Sequence, residues 1–458
     1  MKKRIWIDVT SLYFWRGPAV GIIRTQQKLI QHLEEFRKDN LYFFIYQNGK
    51  FIEVQLGDIN KPESQKIETN ATTRPSFQLP IVPKKQALKL FAQSCISLSP
   101  SFLHAFLSRF AYFSYKFIRN GLLLKNKIKN KKDVNAQKTT SKTEKRNYAV
   151  RAPVVQSPFS RGDVLVLSGL SWGDSGIFES LYFLKQKIDI KVISFCYDLI
   201  PVNYPHYCSS DTRALFSSYF IELLEAADLV CCISNCTKED LKNFIDEVGA
   251  KEVPLDVVYL GCDISEGINT KQIFDQNKMP YILYVSTIER RKNHEVLYKA
   301  YRRLIEKGHR QDIPDLYFVG MNGWGVDDLI KDIQLDPLLQ NKIKLIGRIS
   351  DEELEKLYSQ SYFVVFPSLY EGWGLGISEA FLHGKFVLAS SQGSLPEAGG
   401  EFAEYIDPWD VNQWAERILY YSQNQEQVTQ REKKIKENWK PISWRDTAKQ
   451  LDGLIRKI

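Results

Sequence analysis

Along the chain, short runs of almost unbroken apolar residues alternate with stretches whose apolar positions recur every three or four residues. The first pair is RIWIDV (4–9), a strand candidate, and IIRTQQKLIQHLEEF. In the latter, Ile22, Ile23, Gln26, Leu29, Ile30 and Leu33 fall on one side of a helix, and a loop with Arg16, Gly17, Pro18 and Gly21 joins the two. LYFFIYQ (41–47) supplies another strand, after which the alternation lapses for about a hundred residues. It resumes at DVLVLSG (163–169) and runs through VISFCYD, DLVCCIS and VVYLG, with helical stretches over 210–226 and 238–244. A polar stretch, 263–280, reads as a linker. Beyond it YILYVS, DLYFVG, IKLIG, YFVVFPS and KFVLAS each precede a helical stretch. Strands without polar alternation suit a parallel sheet covered by helices on both faces. Two such sets predict two doubly wound, Rossmann-like α/β domains facing across a cleft, with ligands near the carboxyl ends of the strands.

The lapse, residues 51–160, has its own character. Its centre sets Phe102, Leu103, Phe106, Leu107, Phe110, Phe113 and Phe117 at mostly three- and four-residue spacings and ends in a lysine run. Between residues 116 and 146, eleven Lys or Arg stand against Asp133 and Glu144, a local balance of +9 against +8 for the whole chain. The remainder is close to neutral, which argues against nucleic acid as a partner. An aromatic amphipathic helix with a basic flank, within 99–146, suits an anionic membrane surface, and Arg109, Lys116 and Arg119 argue against a crossing. The alternative is that the aromatics pack on the protein and the lysines form a solvated loop.

With 458 residues, 44% apolar and 25% charged, two domains can each bury a core. No run of 18 uncharged apolar residues occurs and the start lacks the pattern of a secretory signal, so a cytoplasmic protein is expected. The seven cysteines lack paired CxxC spacing and support neither a disulfide framework nor a zinc cluster.

The densest local signal is FPSLYEGWGLGISEAFLHGKFVLASSQGSLPE (366–397). Glu371 follows a buried strand in a loop with Gly372, Gly374 and Gly376, and a helix begins near Leu375. Its unpaired N–H groups suit a phosphate or diphosphate. Glu379 lies about one turn into that helix, so the two carboxylates can address different ends of one elongated ligand, each accepting from hydroxyls. The second signal is YVSTIERRKNH (284–294), where Arg290, Arg291 and Lys292 follow a strand directly before a helix start. Cations there fit a leaving diphosphate, with Glu289 a possible partner for one arginine.

EGWGLGISE resembles the Glu-x7-Glu motif of retaining, nucleotide-sugar-dependent glycosyltransferases of family 4, which have the GT-B fold. The similarity extends over the TIERRKN loop, CYDLIPVNYP, CCISNCTKEDL and the opening IWIDVT…GIIRTQQKL. The resemblance implies an N-terminal acceptor-binding domain (1–270, with an insertion at about 55–160), a C-terminal nucleotide-sugar-binding domain (271–435), and a last helix (436–458) packing back toward the first domain. It implies that Glu379 contacts the nucleotide ribose and Glu371 the donor sugar's hydroxyls, that backbone around Gly374 and Leu375 holds the distal phosphate, and that Lys292 holds the diphosphate. The family's frequent Arg, five residues before that lysine, falls on Thr287, which makes Arg291 or Arg290 the substitute. Gly347 and Arg348 occupy the base-binding turn, and Gly17 and Gly21 the loop approaching donor and acceptor. Asp198 lies in a motif where the family often has His-Asp, with Tyr197 in place of the His. No metal or other cofactor is expected beyond the nucleotide-diphosphate sugar. The donor favoured is GDP-mannose, and the acceptor a saccharide or polyprenyl-diphosphate-linked saccharide in surface-polysaccharide or O-antigen assembly. The enzyme would be peripheral at the inner face of the cell membrane. A nucleotide-sugar epimerase of the same layout and a catalytically silent binding or scaffold protein are the other classes. A dinucleotide oxidoreductase is disfavoured, since no GxGxxG follows the first strand.

Overall fold

A computed structural model describes residues 3–16, 21–59, 156–171, 176–208, 210–263 and 281–458. The first sheet is built from β1 (Ile5–Asp8), β2 (Leu41–Gln47), β3 (Lys50–Val54), β4 (Val164–Leu167), β5 (Lys191–Cys196), β6 (Leu229–Cys232) and β7 (Leu255–Val257). Their order is β3-β2-β1-β4-β5-β6-β7, parallel except for β3, which pairs antiparallel with β2. The second sheet comprises β8 (Tyr281–Val285), β9 (Asp315–Val319), β10 (Ile343–Gly347), β11 (Phe363–Phe366), β12 (Val387–Ser390) and β13 (Glu404–Ile406). It is ordered β10-β9-β8-β11-β12-β13 and is parallel throughout. In both sheets the strand order reverses beside the first strand, between β1 and β4 and between β8 and β11. Such reversals open a crevice at the carboxyl ends.

The unbroken apolar strands are buried on both faces. In β1, Ile5 and Ile7 join one core while Trp6 joins the opposite one with Phe44, Phe159 and Phe178. The core around Ile5 and Ile7 also takes in Trp373, from the loop after β11, and Trp444, Leu451 and Ile455 from the helix Trp444–Lys457. That helix lies along the helix Ile22–Arg37, tied by an ion pair from Arg37 to Asp452 and one from Arg445 to Glu35 (2.9 Å).

Three readings of the pattern need correction. The stretch VVYLG does not form a strand over its length. β7 ends at Val257, and Tyr259 to Gly261 instead lie under the helix Trp444–Lys457, with Tyr259 O accepting from Thr447 Oγ1 at 2.9 Å. KFIEV, with Lys50 and Glu53 exposed and Phe51 and Val54 buried, is the edge strand β3, and EYI forms β13. The lapse in the pattern over 51–160 is not outside the fold at either end. Phe51 and Phe159 pack 5.2 Å apart in the first domain's core, and Phe51 N donates to Gln156 O. The aromatic and basic stretch 99–146 and Gly17 lie outside the described residues.

Candidate active site

The loops leaving β8 and β11 are laced together at the strand-order reversal of the second sheet. Arg290–Lys292 form one tight turn ending at Asn293, whose left-handed backbone (φ 56°) starts the helix His294–Glu306. The Asn293 amide donates to Pro367 O (3.1 Å) and Pro408 O (2.8 Å), and Leu369 N donates to Arg291 O (2.8 Å). This fixes the cations of one loop against Glu371 of the other. Lys292 Nζ donates to Glu371 Oε1 and Arg291 Nη1 to Glu371 Oε2, each at 2.6 Å. Arg291 also reaches Tyr370 O (2.8 Å) and Glu289 Oε1 (2.9 Å). It is therefore a brace of the site, while Lys292, with one of its ammonium's three donors engaged by Glu371, keeps capacity for a ligand.

Charge and burial work against each other here. Burial pushes the Glu371 carboxyl up, but Arg291 and Lys292 outweigh it and hold it down at about 2. Burial pulls the Lys292 ammonium below its usual value despite Glu371. Behind it His294 is buried, with its pKa lowered to about 3 by burial and then by Lys292, so it is neutral.

The helix Leu375–Leu382 starts at Gly374 with no side chain capping it. Gly374 adopts φ 150°, and a Cβ there would meet Ala398 and Leu395 at 3.1 Å, so the turn requires glycine. The first N–H groups of this helix are thus left toward a ligand. Glu379, one turn in, accepts from Arg24 Nη1 (3.2 Å) and Tyr358 OH (3.3 Å). Burial holds its carboxyl above the ordinary value, with Arg24 the main opposing influence. Arg24 comes from the other domain, on the helix that Gly21 (φ 51°) starts, so this contact spans the cleft.

Asp198 follows β5 and accepts from Ile200 N at 3.0 Å; burial raises its carboxyl, opposed chiefly by Arg291. Tyr197 joins the first domain's core, its hydroxyl donating to Ser168 O at 2.6 Å. Between the sheets lies a cavity of about 460 Å³ lined by Asp198, Pro201 and Tyr207 on one side and Glu289, Arg291 and Trp324 on the other. Gly347 closes β10 with φ 73° and its carbonyl accepts from Gly320 N (2.9 Å), which ties the end of β10 to the end of β9. Arg348 is exposed, as is Thr287. The sequence reading brought Glu371, Arg291, Lys292 and Glu289 to one place but missed Arg24, Tyr358 and Trp324. Arg24 carried a usable sign, an arginine just inside the first helix after a glycine loop. Among the described residues, no three His, Cys, Asp or Glu are grouped to hold a metal ion. No helix among them is long and apolar enough to cross a membrane.

Two doubly wound sheets facing across a cleft, with the cations and carboxylates at the reversal of one of them, constitute a GT-B architecture. Residues 267–440 match the family model "Glycosyl transferases group 1". The chain is 28% identical over 313 residues to the serotype-specific mannosyltransferase WbdA of Escherichia coli, covering 64% of this chain and 37% of that protein. It is 28% identical over 242 residues to the O-antigen chain mannosyltransferase B of Escherichia coli, covering 52% and 62%. Among solved structures it is similar to Anabaena HepE in complex with UDP and glucose, with a TM-score of 0.49, 17% identity, and 64% and 78% of the two chains covered. The chain thus spans a little over a third of WbdA. The fold is GT-B, and the sequence is similar to those of bacterial glycosyltransferases, mannosyltransferases among them.

Proposed function

We propose that the protein is a retaining glycosyltransferase that moves a hexose from a nucleotide-diphosphate sugar to a saccharide acceptor. The observation that carries this reading is the Glu371 carboxylate held by Lys292 and Arg291 at 2.6 Å each, beside a helix start that no side chain caps. In this reading Lys292 and the N–H groups after Gly374 receive the diphosphate, Glu371 the sugar hydroxyls and Glu379 the ribose. Gly347 and Arg348 flank the base. Carboxylates at either end of a cationic anion cradle match a ligand with hydroxyls on both sides of a diphosphate. The acceptor hydroxyl approaches the anomeric carbon from the leaving-group face through the cavity beside Asp198. As the bond to the diphosphate breaks, a phosphate oxygen takes the hydroxyl proton, and Lys292 with the helix start balances the charge left behind.

GDP-mannose is the first donor to test, a choice supported by the two mannosyltransferases to which the chain is similar. The acceptor proposed is a lipid-linked saccharide of surface-polysaccharide or O-antigen assembly, met at an anionic membrane face through residues 99–146. Calorimetry with GDP, UDP and ADP, followed by turnover of the bound nucleotide's sugars with a lipid-linked acceptor, tests the reading. Sugar transfer supports it, whereas conversion of the donor without acceptor identifies an epimerase. Failure of every nucleoside diphosphate to bind ends it. Deletion of 99–146 should abolish binding to anionic liposomes, and unchanged binding removes the membrane proposal.

A further inference from the structure

Glu371 belongs to the second domain, yet the residues on both sides of it are held by the first. The preceding Tyr370 donates its hydroxyl to Asp240 Oδ2 (2.8 Å) and lies 3.2 Å from Cys236 Sγ. The carbonyl of the following Gly372 accepts from Ser234 Oγ (2.8 Å) and Thr237 Oγ1 (3.1 Å). All four partners sit at the N-terminal end of one helix, Asn235–Val248, for which Ser234 is the N-cap. A third attachment comes from Glu397, which accepts from Asn235 N and Nδ2 (2.8 Å each) and from Cys236 N (3.2 Å). A carboxylate of one domain thereby caps a helix of the other, and does so where the helix end favours negative charge. Gly372 has no room for a side chain, because a Cβ there would overlap the Tyr197 carbonyl.

We propose that this helix end is a positioning device for Glu371, with Asp240 and Thr237 as positioning residues that set the glutamate only when the cleft is closed. The inference rests on the reading of Glu371 as the group that meets the donor sugar. It separates two events that the second domain would otherwise perform alone. The nucleotide can be held by Lys292, Glu379 and the helix start in either state, while the sugar is correctly met only after Tyr370 and Gly372 are clasped. Misplacing such a group by about an ångström is enough to cost turnover heavily.

The test is a double variant, Tyr370→Phe with Thr237→Val, which removes two hydroxyls while keeping side-chain volume. Calorimetry with GDP, hydrogen exchange of the amides of 369–375, and kcat with donor KM are measured on the full chain. The expected result is GDP affinity within about twofold of wild type, exchange in 369–375 faster by about tenfold, and kcat lower by about tenfold with donor KM little changed. Asp240→Asn, which keeps an oxygen for Tyr370, should retain more kcat than Asp240→Ala. Unchanged kcat overturns the proposal, as does a loss of GDP binding and thermal stability in parallel with kcat, the mark of general damage. Should wild type bind GDP but transfer no sugar, the functional reading fails, and exchange alone judges the clasp. Faster exchange confined to 369–375 then supports it, and unchanged exchange overturns it.

Discussion

Glu371→Gln separates the two roles of this carboxylate, as counter-ion of Lys292 and Arg291 and as reader of sugar hydroxyls. A glutamate held at about 2 instead of its ordinary 4.5 favours the folded protein by roughly 3 kcal/mol once ionised. Burial of Lys292, which lowers its own pKa, returns part of that, and the remainder is lost in the variant at pH 7. Because the folded pKa is depressed, this contribution is complete above about 4.5 and disappears as the pH falls toward 2. The melting-temperature gap between wild type and variant should therefore be widest at neutral pH and narrow on acidification below 4.5. The same substitution releases two cations from a carboxylate 2.6 Å away, so GDP should bind more tightly by roughly three- to tenfold, on the order of 1 kcal/mol in a partly solvated cleft. Turnover should nevertheless fall by about tenfold or more, since the amide is a poorer acceptor for hydroxyls and its NH₂ faces the cations. Differential scanning fluorimetry from about pH 2 to 7, calorimetry with GDP and initial rates make the three measurements. A gap that stays constant with pH, or a variant with wild-type turnover and unchanged GDP affinity, refutes the reasoning.

Lys292→Ala is expected to lower both GDP affinity and turnover by about tenfold or more, because it removes a cation with donors to spare beside the helix start, and calorimetry with initial rates checks it. Gly372→Ala should prevent closure, since the added methyl meets the backbone of Tyr197 and Asp198 Cβ at 2.9 Å. GDP binding should survive while kcat drops by about tenfold or more, and small-angle scattering should show a larger radius of gyration. Arg24→Ala removes the main influence holding down a Glu379 carboxyl that burial already raises. Protonation of Glu379 then sets in at higher pH, so GDP affinity, lost on acidification in both proteins, should begin to fall at a higher pH in the variant than in wild type.

The sheets were legible because every buried strand of a parallel sheet must be apolar on both faces, and Tyr281–Val285 and Phe363–Phe366 have hardly any polar interruption. Edge elements were not. Lys50–Val54 pairs on one side only and tolerates Lys50 and Glu53, so it breaks the pattern that exposed the others. Glu371 with Arg291 and Lys292 could be placed together because each follows a central strand and adjacent strand ends must meet. Arg24 and Asp240 could not, because their distance from the glutamates depends on how one domain sits on the other, which local periodicity does not encode. The same holds for Tyr197: only its contact with Ser168 O shows that it faces the core. Arg291 or Arg290 was read as a cation for the diphosphate, with Glu289 pairing one arginine; that the paired one is Arg291, held also by Glu371 and Tyr370 O, depends on loop geometry that spacing does not encode.

The polypeptide passes between the domains twice, and the two passages touch. Cys262 N donates to Ile442 O at 2.9 Å, Trp444 N lies 3.4 Å from Asp263 Oδ2, and a Cβ on Gly261 would overlap the backbone of Trp444. Two connections fastened at one spot behave like a door with a single pin: they forbid sliding and leave rotation about a common axis. A swing of that kind displaces atoms in proportion to their distance from the pin, so a small angle there becomes the largest travel at the far rim of the crevice. A side chain at position 261 would have to push the Trp444 backbone away, loosening the pin without touching any group that meets a ligand.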